Sequence, residues 1–424
     1  MNGGRGLVNI LRSRAFRNYA QKQTTMPVRK LQISEPEYDL EYLYDVGNRE
    51  EILENIKRRK GVGDIDKVLE LSKKPASRNE LMKELHKIPN RTAPGVYEYG
   101  DEPRVLAECG VKKKFDFTPL NFNKLAEKLQ LIRTEDLGPL SGEKSYIFFR
   151  DLAQMEEALI SYSVDKLLKH GFRLISVPDI LPTTIIERCG LIVSGERTLV
   201  YSLDSHYGDY SLSGTAEMAL AAKLADAQFS ISQLPLKLAA VSRCYRAEVS
   251  NIAEERGLYR VHQFTKVEMF VCSDPDNSSQ SMNELREIQQ SLFAPLGIHF
   301  RVLDMPAHEL GAPAYRKLDI EGWLPGKQFY GELSSCSNCT DYQSRRLNIK
   351  YEDKNGESSY VHTLNGTACA IPRMLIAICE THQTKDGNIV VPEALIPHMR
   401  DETFIKKQQI PSMRDYKCKQ KGLS

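Results

Sequence analysis

The sequence lacks several features that mark common classes of protein. No apolar run reaches the roughly eighteen residues that a membrane-spanning helix needs, so no membrane insertion is indicated. The nine cysteines follow no disulfide framework, which predicts reduced thiols in a non-secretory compartment. Cys336 and Cys339 are the only close pair, and no second pair or suitably spaced histidines accompany them, so no zinc site is expected. A glycine-rich P-loop and a Rossmann fingerprint are also missing, so those nucleotide-binding folds are not supported.

Charge is distributed unevenly along the chain. The formal net charge is +2, yet residues 1–34 carry five arginines, two lysines and no acidic residue. In the segment 1–30, Leu7, Ile10 and Leu11 are spaced as on one helical face, which is typical of a mitochondrial transit peptide. This predicts import into the mitochondrial matrix, and a basic arm that contacts RNA is the alternative. The basic C-terminal tail, residues 401–424, either contacts RNA phosphates or is a solvated tail.

Hydrophobic periodicity predicts the order of helices and strands. Three short amphipathic helices are predicted to start near Asn48, Asp64 and Ser77, and an extended segment then runs to about residue 117. Further helices are predicted at about 121–131, 152–170, 215–226, 278–294 and 368–382. Strands are predicted at about 171–180, 199–212, 236–248, 258–271, 299–304, 315–323, 328–335 and 359–367. This order predicts an α+β domain with a mainly antiparallel β-sheet flanked by helices.

Two of the predicted strands carry an unusual row of polar side chains. Because side chains alternate between the two faces of a strand, Arg246 and Glu248 share one face of the first strand. On the second strand the apolar residues share one face, and the other face carries Arg260, His262, Phe264, Lys266 and Glu268. An Arg-x-Glu pattern most often forms a solvated ion pair. Other segments must therefore decide whether these residues form a site.

Three other segments place carboxylates, hydroxyls or an arginine at the ends of predicted strands. They are centred on Thr215 and Glu217, on Glu332 and Ser335, and on Asn365, Thr367 and Arg373. Four such segments in one chain predict a single pocket. Arginine suits phosphate groups, a carboxylate beside a hydroxyl suits Mg²⁺, and Phe264 offers adenine a stacking surface. Since Glu217 and Glu268 can neutralise an ammonium group, the pattern indicates that ATP activates a small substrate bearing an amine.

These segments resemble the sequence motifs of class II aminoacyl-tRNA synthetases, in the form typical of seryl-tRNA synthetases. The matching stretches are 171–180 for motif 1, a dimer element, 246–248 with 256–268 for motif 2, and 365–373 with 386–397 for motif 3. Residues 215–217 and 332–335 are similar to the family's serine and Mg-ATP segments. The sequences Gly257-Leu-Tyr-Arg-Val-His262 and Thr367-Ala-Cys-Ala-Ile-Pro-Arg373 follow the form found in animal mitochondria. The resemblance covers about residues 48–399.

The resemblance implies a role for each matched residue. Arg246 and Arg373 would be catalytic and would contact the α- and γ-phosphates of ATP. The residues that would bind L-serine are Thr215, Ala216, Glu217, Glu268, Asn365 and Thr367. The residues that would bind ATP are Arg246, Ala247, Glu248, Phe264, Glu332, Leu333, Ser334, Ser335 and Arg373. Glu332 and Ser335 would also hold Mg²⁺.

The resemblance also implies a domain organisation and partners. A shortened helical, tRNA-binding domain at residues 31–120 would precede a class II catalytic domain at residues 121–400. The protein would be a serine–tRNA ligase for mitochondrial translation, with tRNA(Ser), L-serine and ATP as its substrates. Motif 1 implies a homodimer, and a heterodimer with a paralogue stays open.

Two stretches depart from the family's pattern. The N-terminal domain of the family usually holds a long antiparallel coiled coil, whereas the span from Asp64 to Pro89 has only 26 residues. The motif 2 loop, residues 249–255, is unusually acidic. Two alternatives therefore stay open. One is a catalytically silent paralogue that binds RNA or a partner subunit, and the other is a ligase that loads an amino acid onto a carrier protein.

Overall fold

The computed structural model describes residues 33–74, 77–134, 141–193, 195, 198–204, 206, 208–248 and 257–407. The predicted transit peptide, the acidic loop 249–255 and residues 408–424 of the basic tail lie outside the described residues. The predictions for these three segments therefore stay predictions.

The described residues form short helices and strands around one large sheet. The helices are α1 Leu40–Tyr44, α2 Arg49–Arg58, α3 Ile65–Ser72, α4 Arg78–Lys87, α5 Phe122–Lys128, α6 Arg150–Lys169, α7 Thr183–Arg188, α8 Ala216–Lys223, α9 Ser278–Phe293, α10 Tyr342–Leu347 and α11 Ile371–His382. The strands are β1 Arg104–Cys109, β2 Ile132–Arg133, β3 Ile147–Phe148, β4 Arg173–Leu174, β5 Ile180–Pro182, β6 Tyr210–Leu212, β7 Gln228–Ser230, β8 Leu236–Tyr245, β9 Gln263–Ser273, β10 Phe300–Asp304, β11 Arg316–Leu324, β12 Phe329–Asn338, β13 Lys350–Glu352, β14 Ser358–Tyr360, β15 His362–Ala370, β16 Ile389–Val390 and β17 Phe404–Ile405. Among the described helices, none is long and apolar enough to cross a membrane.

The large sheet has eight strands in the order β1-β10-β11-β12-β15-β9-β8-β4. Every neighbouring pair is antiparallel except β4 and β8, which are parallel. The longest strands, β8, β9, β11, β12 and β15, are neighbours in the middle of this order. The predicted α+β fold with a mainly antiparallel sheet flanked by helices is confirmed.

Strand β9 shows how one strand serves both the core and the site. Its odd-numbered residues Val267, Met269 and Val271 are buried in the main apolar core, together with residues of α6, α9 and α11. Its even-numbered residues Phe270 and Cys272 belong to a second apolar cluster with α8. The even-numbered residues before them face an open cavity instead. The alternation of side chains along β9 therefore separates the core from the site, as the sequence predicts.

The N-terminal helices have a small apolar core of their own. Ile52 and Ile56 of α2 are buried with Ile65 and Val68 of α3 and Leu85 of α4. The three predicted helices are confirmed, and each has ten residues or fewer. Ten residues span about 15 Å at the usual rise of an α-helix. The N-terminal helices are thus far too short for a long coiled coil.

Several strand predictions differ from the structure. The predicted strand 171–180 contains only the two residues of β4 and the first residue of β5, because its pairing with β8 stops after Leu174 and Pro178 cannot donate to a ladder. Among its described residues, the predicted strand 199–212 is a strand only at β6, with an isolated bridge at Ser202. Strand β1 lies in the segment that was predicted only to be extended, so the large sheet begins before residue 121.

Candidate active site

A cavity of about 360 Å³ opens on the face of the sheet that carries Phe264, Lys266 and Glu268. All four polar segments of the sequence meet there. The predicted site residues that line it are Thr215, Glu217, Arg246, Glu248, Phe264, Glu268, Glu332, Leu333, Ser334, Ser335, Asn365, Thr367 and Arg373. Two predicted residues, Ala216 and Ala247, do not line it, and Ala216 is buried in the first turn of α8.

A first group of side chains surrounds Glu217, which follows the N-cap residue Thr215 of helix α8. Glu217 Oε1 accepts hydrogen bonds from Gln343 Nε2 at 2.7 Å and from Asn365 Nδ2 at 2.9 Å. Burial, with a smaller contribution from the charge of Glu268, raises the pKa of the Glu217 carboxyl to about 7. Both amides stabilise the ionised form of Glu217. Because the amides are uncharged, they do not neutralise the carboxylate, and a cation can bind to it.

The same group contains a second carboxylate, Glu268, which is 2% exposed. Lys266 Nζ forms an ion pair with Glu268 Oε2 and donates a hydrogen bond to Thr215 Oγ1 at 2.7 Å. Thr367 Oγ1 lies 3.4 Å from Glu268 Oε2. Two carboxylates and one ammonium thus share this part of the cavity, so its net charge is negative when Glu217 is ionised. Because the resemblance of the sequence implies serine binding at five of these positions, we call this group the serine cluster: Thr215, Glu217, Lys266, Glu268, Gln343, Asn365 and Thr367.

Arg246 and Glu248 follow the last residue of β8, so they project from the end of the strand. The backbone N–H of Arg246 donates to His262 O at 2.9 Å, which holds this extension against the start of β9. The Arg246 guanidinium lies 5.3 Å from the centre of the Phe264 ring. A cation beside an exposed aromatic face suits the phosphate and the base of a nucleotide.

A second group of side chains, here called the phosphate cluster, consists of Tyr259, Glu332 and Arg373. Arg373 lies in the first turn of α11, and its Nη1 is 3.2 Å from Glu332 Oε2. Its guanidinium carbon lies 4.6 Å from the centre of the Tyr259 ring. Burial alone raises the pKa of Glu332, but Arg373, Lys317 and Arg246 outweigh it and lower that pKa to about 2. Glu332 is therefore ionised at neutral pH.

The oxygens around Glu332 fit a hard divalent cation. Ser335 lines the cavity and is opposite Asp319 in the register of β11 and β12. Asp319 Oδ1 is buried, and within the described residues it accepts no hydrogen bond. Mg²⁺ takes one or two protein carboxylates and keeps several waters, so it needs no larger cluster. Among the described residues, no three His, Cys, Asp or Glu side chains converge as a metal-binding group.

Three residues of the site received no role from the sequence: Lys266 and Tyr259 line the cavity, and Gln343 lies behind it. Lys266 was on the correct face of β9, but the pattern could not show that it neutralises Glu268. Tyr259 belongs to a 3-10 helix, Gly257–Tyr259, where a strand was predicted. Gln343 is fully buried behind Glu217 and lies outside the matched motif segments, and no sequence signal indicates that its amide reaches Glu217.

Comparison with known proteins places this geometry in a family. The sequence profile described as the tRNA synthetase class II core domain (G, H, P, S and T) matches residues 201–382. The chain is 42% identical over 337 residues to the mitochondrial serine–tRNA ligase of Mus musculus, covering 78% of this chain and 65% of the mouse protein. It is 42% identical over 328 residues to the serine–tRNA ligase of Treponema denticola, covering 75% of this chain and 77% of that protein.

The fold agrees with these relatives. The seryl-tRNA synthetase of Pyrococcus horikoshii, solved in complex with ATP, superposes with a TM-score of 0.75 at 28% identity, over 95% of this chain and 90% of that one. The large antiparallel sheet flanked by helices is thus the class II synthetase core. The chain spans slightly less than two thirds of the mouse protein but more than three quarters of the bacterial one. On this similarity, the chain belongs to the seryl-tRNA synthetase family of class II aminoacyl-tRNA synthetases.

Proposed function

We propose that this protein activates L-serine with ATP and transfers the seryl group to tRNA(Ser) in the mitochondrial matrix. The observation that carries the proposal is that one cavity contains both an acidic, amide-lined cluster and a cluster of arginines with an aromatic face. The first suits the ammonium and hydroxyl of serine, and the second suits a nucleotide triphosphate. Membership of the seryl-tRNA synthetase family supports the same pairing of substrates.

In the proposed first step the serine carboxylate attacks the α-phosphorus of ATP. A bond forms between a carboxylate oxygen and phosphorus, the bond to the bridging oxygen breaks, and pyrophosphate leaves with the electron pair. Arg246 stabilises the extra negative charge on the α-phosphate oxygens as the bonds exchange. Phe264 stacks on the adenine ring, and Glu248 accepts from the adenine amino group. The product is seryl-adenylate.

Glu332 and Ser335 would hold Mg²⁺ in this proposal, and the ion would neutralise charge on the phosphate oxygens. Arg373 then contacts the γ-phosphate from the first turn of α11. In the second step, a terminal ribose hydroxyl of the tRNA attacks the seryl carbonyl carbon. An ester forms and AMP leaves, which completes the transfer.

The serine cluster also accounts for the choice of amino acid. Glu217 and Glu268 neutralise the substrate ammonium, and Glu268 with Thr367 provides polar groups for the hydroxyl. Alanine would leave those buried polar groups without partners. A site that hydrogen-bonds a substrate hydroxyl rejects the analogue lacking it strongly. We therefore propose serine rather than alanine as the substrate.

A homodimer is part of the proposal. Large apolar side chains are exposed around α6, β4 and β5: Leu168 at 49%, Leu174 at 48% and Ile180 at 52%. Leu174 lies on β4, the strand at the end of the large sheet, and Leu168 lies in the last turn of α6, just before β4. Exposed apolar side chains at a sheet edge suit pairing with a second copy. The mitochondrial relatives support the proposed location.

The decisive experiment is serine-dependent ATP–pyrophosphate exchange, followed by charging of mitochondrial and cytosolic tRNA. We expect exchange with serine and not with alanine, and charging of mitochondrial tRNA(Ser). Arg246→Ala should abolish exchange, whereas Arg243→Ala, an exposed arginine three residues earlier on β8, should retain it. Exchange that survives Arg246→Ala would show that the site is misassigned. A wild-type protein that lacks exchange would instead favour a silent paralogue.

One observation favours a second candidate function, in which a carrier protein and not tRNA accepts the seryl group. The N-terminal helices have ten residues or fewer, so they cannot form the long hairpin with which the family usually grips tRNA. A carrier protein needs no such arm. Exchange without charging of any tRNA, together with transfer of serine to a phosphopantetheine thiol, would support this second function.

A further inference from the structure

A short loop, Gly311–Ala314, lines the cavity through Gly311, Pro313 and Ala314. All four of its backbone carbonyls accept hydrogen bonds from two residues of the N-terminal segment. Arg59 donates to Gly311 O, to Ala312 O at 3.2 Å and to Ala314 O at 2.8 Å. Asn90 donates its backbone N–H to Ala312 O at 2.9 Å and its side-chain amide to Pro313 O at 2.8 Å. No carbonyl of the loop is left to solvent alone.

Arg59 is an unusual residue for such a contact. It is the C-cap residue of α2 and is only 5% exposed. Within the described residues no carboxylate pairs with it, so carbonyl and hydroxyl oxygens alone surround its charge. Burial lowers its pKa to about 10. Burying a cation without an acidic partner is costly, and six hydrogen bonds, three of them to this loop, offset that cost.

Asn90 extends the contact to the serine cluster. Its Nδ2 also donates to Cys339 O at 2.8 Å. Cys339 Sγ lies 3.6 Å from Asn365 Nδ2, which in turn donates to Glu217 Oε1 at 2.9 Å. Three contacts therefore connect the N-terminal segment to the carboxylate proposed for the serine ammonium.

The loop is also packed from the opposite side. A Cβ atom at Gly190 would lie 2.8 Å from Pro313 Cδ, so these two residues already touch closely. Within the loop, the Ala314 N–H donates to Gly311 O at 3.0 Å and closes a turn. Within the described residues, no hydrogen bond or ion pair joins the loop to the phosphate cluster. Among the same residues, the loop makes no direct hydrogen bond to the serine cluster either, but its partner Asn90 reaches that cluster through Cys339.

We propose that Arg59 and Asn90 are positioning residues through which the short N-terminal domain holds the wall of the serine site. This inference rests on the proposed function. Serine binding then depends on the N-terminal domain, whereas ATP binding does not. A ligand that moves the N-terminal helices would alter serine affinity through the same contacts.

The test compares two adjacent arginines in the full-length chain. Arg59→Met removes the guanidinium but keeps apolar volume, and Arg58→Met is the matched control. Arg58 lies on the same helix, its side chain is 44% exposed, and it pairs with Glu54. In pyrophosphate exchange, Arg59→Met should raise the KM for serine about tenfold or more while the KM for ATP stays within about twofold, because a misplaced wall weakens only the contacts beside it. Arg58→Met should change neither.

Two further variants guard against a folding defect. Asn90→Ala removes the three hydrogen bonds that its Nδ2 donates and the two that its Oδ1 accepts, but keeps the bond from its backbone N–H. It should therefore raise the serine KM in the same direction by a smaller factor. Arg59→Lys should restore part of the loss, since an ammonium reaches fewer carbonyls than a guanidinium. An unchanged serine KM in folded Arg59→Met and Asn90→Ala would overturn the proposal. Equal rises in the KM for serine and ATP would also overturn it.

Hydrogen–deuterium exchange provides a measurement that does not depend on activity. The peptide that spans residues 309–316 should exchange faster in Arg59→Met than in wild type, and Arg58→Met should match wild type. If the wild-type protein shows no serine-dependent exchange of pyrophosphate, the proposed function fails. In that case the deuterium uptake of this peptide still tests the positioning role of Arg59. Equal uptake in wild type, Arg59→Met and Arg58→Met would refute that role.

Discussion

Serine binding should strengthen as pH rises through neutrality, because Glu217 must be ionised to hold the substrate ammonium. Burial raises the pKa of Glu217 to about 7. A carboxyl whose pKa is raised is mostly protonated below that value and mostly ionised above it. The protonated form offers the ammonium no charge. Serine affinity is therefore low at acid pH and reaches its maximum above the pKa.

The size of the effect follows from the ionised fraction. With a pKa of about 7, Glu217 is about 9% ionised near pH 6 and about 91% ionised near pH 8. The apparent dissociation constant equals the intrinsic one divided by the competent fraction. The KM for serine should consequently fall about tenfold across this range if serine binds in rapid equilibrium, and the KM for ATP should show no matching change.

The assay is pyrophosphate exchange at varied serine concentration and saturating ATP, repeated at several pH values. Glu217→Gln is the matched variant, since glutamine keeps the shape of the side chain and cannot titrate. The serine KM of this variant should be higher than that of wild type at neutral pH and should no longer fall tenfold as the pH rises. Any pH dependence that comes from the ionisation of serine or ATP themselves should remain in the variant. A flat profile in wild type, or the same slope in Glu217→Gln, would refute the reasoning.

Three further predictions concern ATP, Mg²⁺ and packing. Phe264→Leu should raise the KM for ATP about tenfold through lost stacking, with the serine KM as the internal control in pyrophosphate exchange; a change in the serine KM alone would contradict the assignment. Glu332→Gln should raise the Mg²⁺ concentration for half-maximal exchange about tenfold or more, and an unchanged Mg²⁺ profile would exclude Glu332 as a ligand. Gly326→Ala should destabilise the protein by about 1–3 kcal/mol in thermal unfolding, because its Cβ would lie 2.2 Å from Leu120 O, whereas Gly95→Ala meets no neighbouring atom and should leave Tm nearly unchanged.

Sequence reasoning worked best where one physical rule decides the outcome. On β9, alternation of side chains placed Phe264 and Glu268 in the cavity and Val267 in the core. The same rule does not apply to Arg246 and Glu248, because β8 ends at Tyr245 and the two residues lie beyond the ladder. They reach the cavity through the backbone path after the strand. The alternation rule therefore predicted Arg246 and Glu248 correctly, although the rule does not apply to residues beyond the end of the strand.

Long-range contacts were beyond the reach of local patterns. Gln343 bonds to Glu217 across 126 positions, and Arg59 bonds to Gly311 across 252. Neither pair leaves a periodicity or a spacing in the sequence. Strand 171–180 was overestimated for a related reason, since its β-branched residues satisfy a strand pattern while only Arg173, Leu174 and Ile180 have a partner strand. Pairing is decided by a neighbour that the local sequence does not reveal.

Strand β1 has a practical consequence for any shortened version of the protein. It covers the outer edge of β10 along its whole length, with Arg104 opposite Asp304 and Cys109 opposite Phe300. A protein cut at the predicted domain boundary, before residue 121, would expose that edge as an unpaired row of backbone donors and acceptors. Such an edge recruits strands from other molecules and leads to aggregation. A soluble catalytic fragment should therefore begin upstream of Arg104.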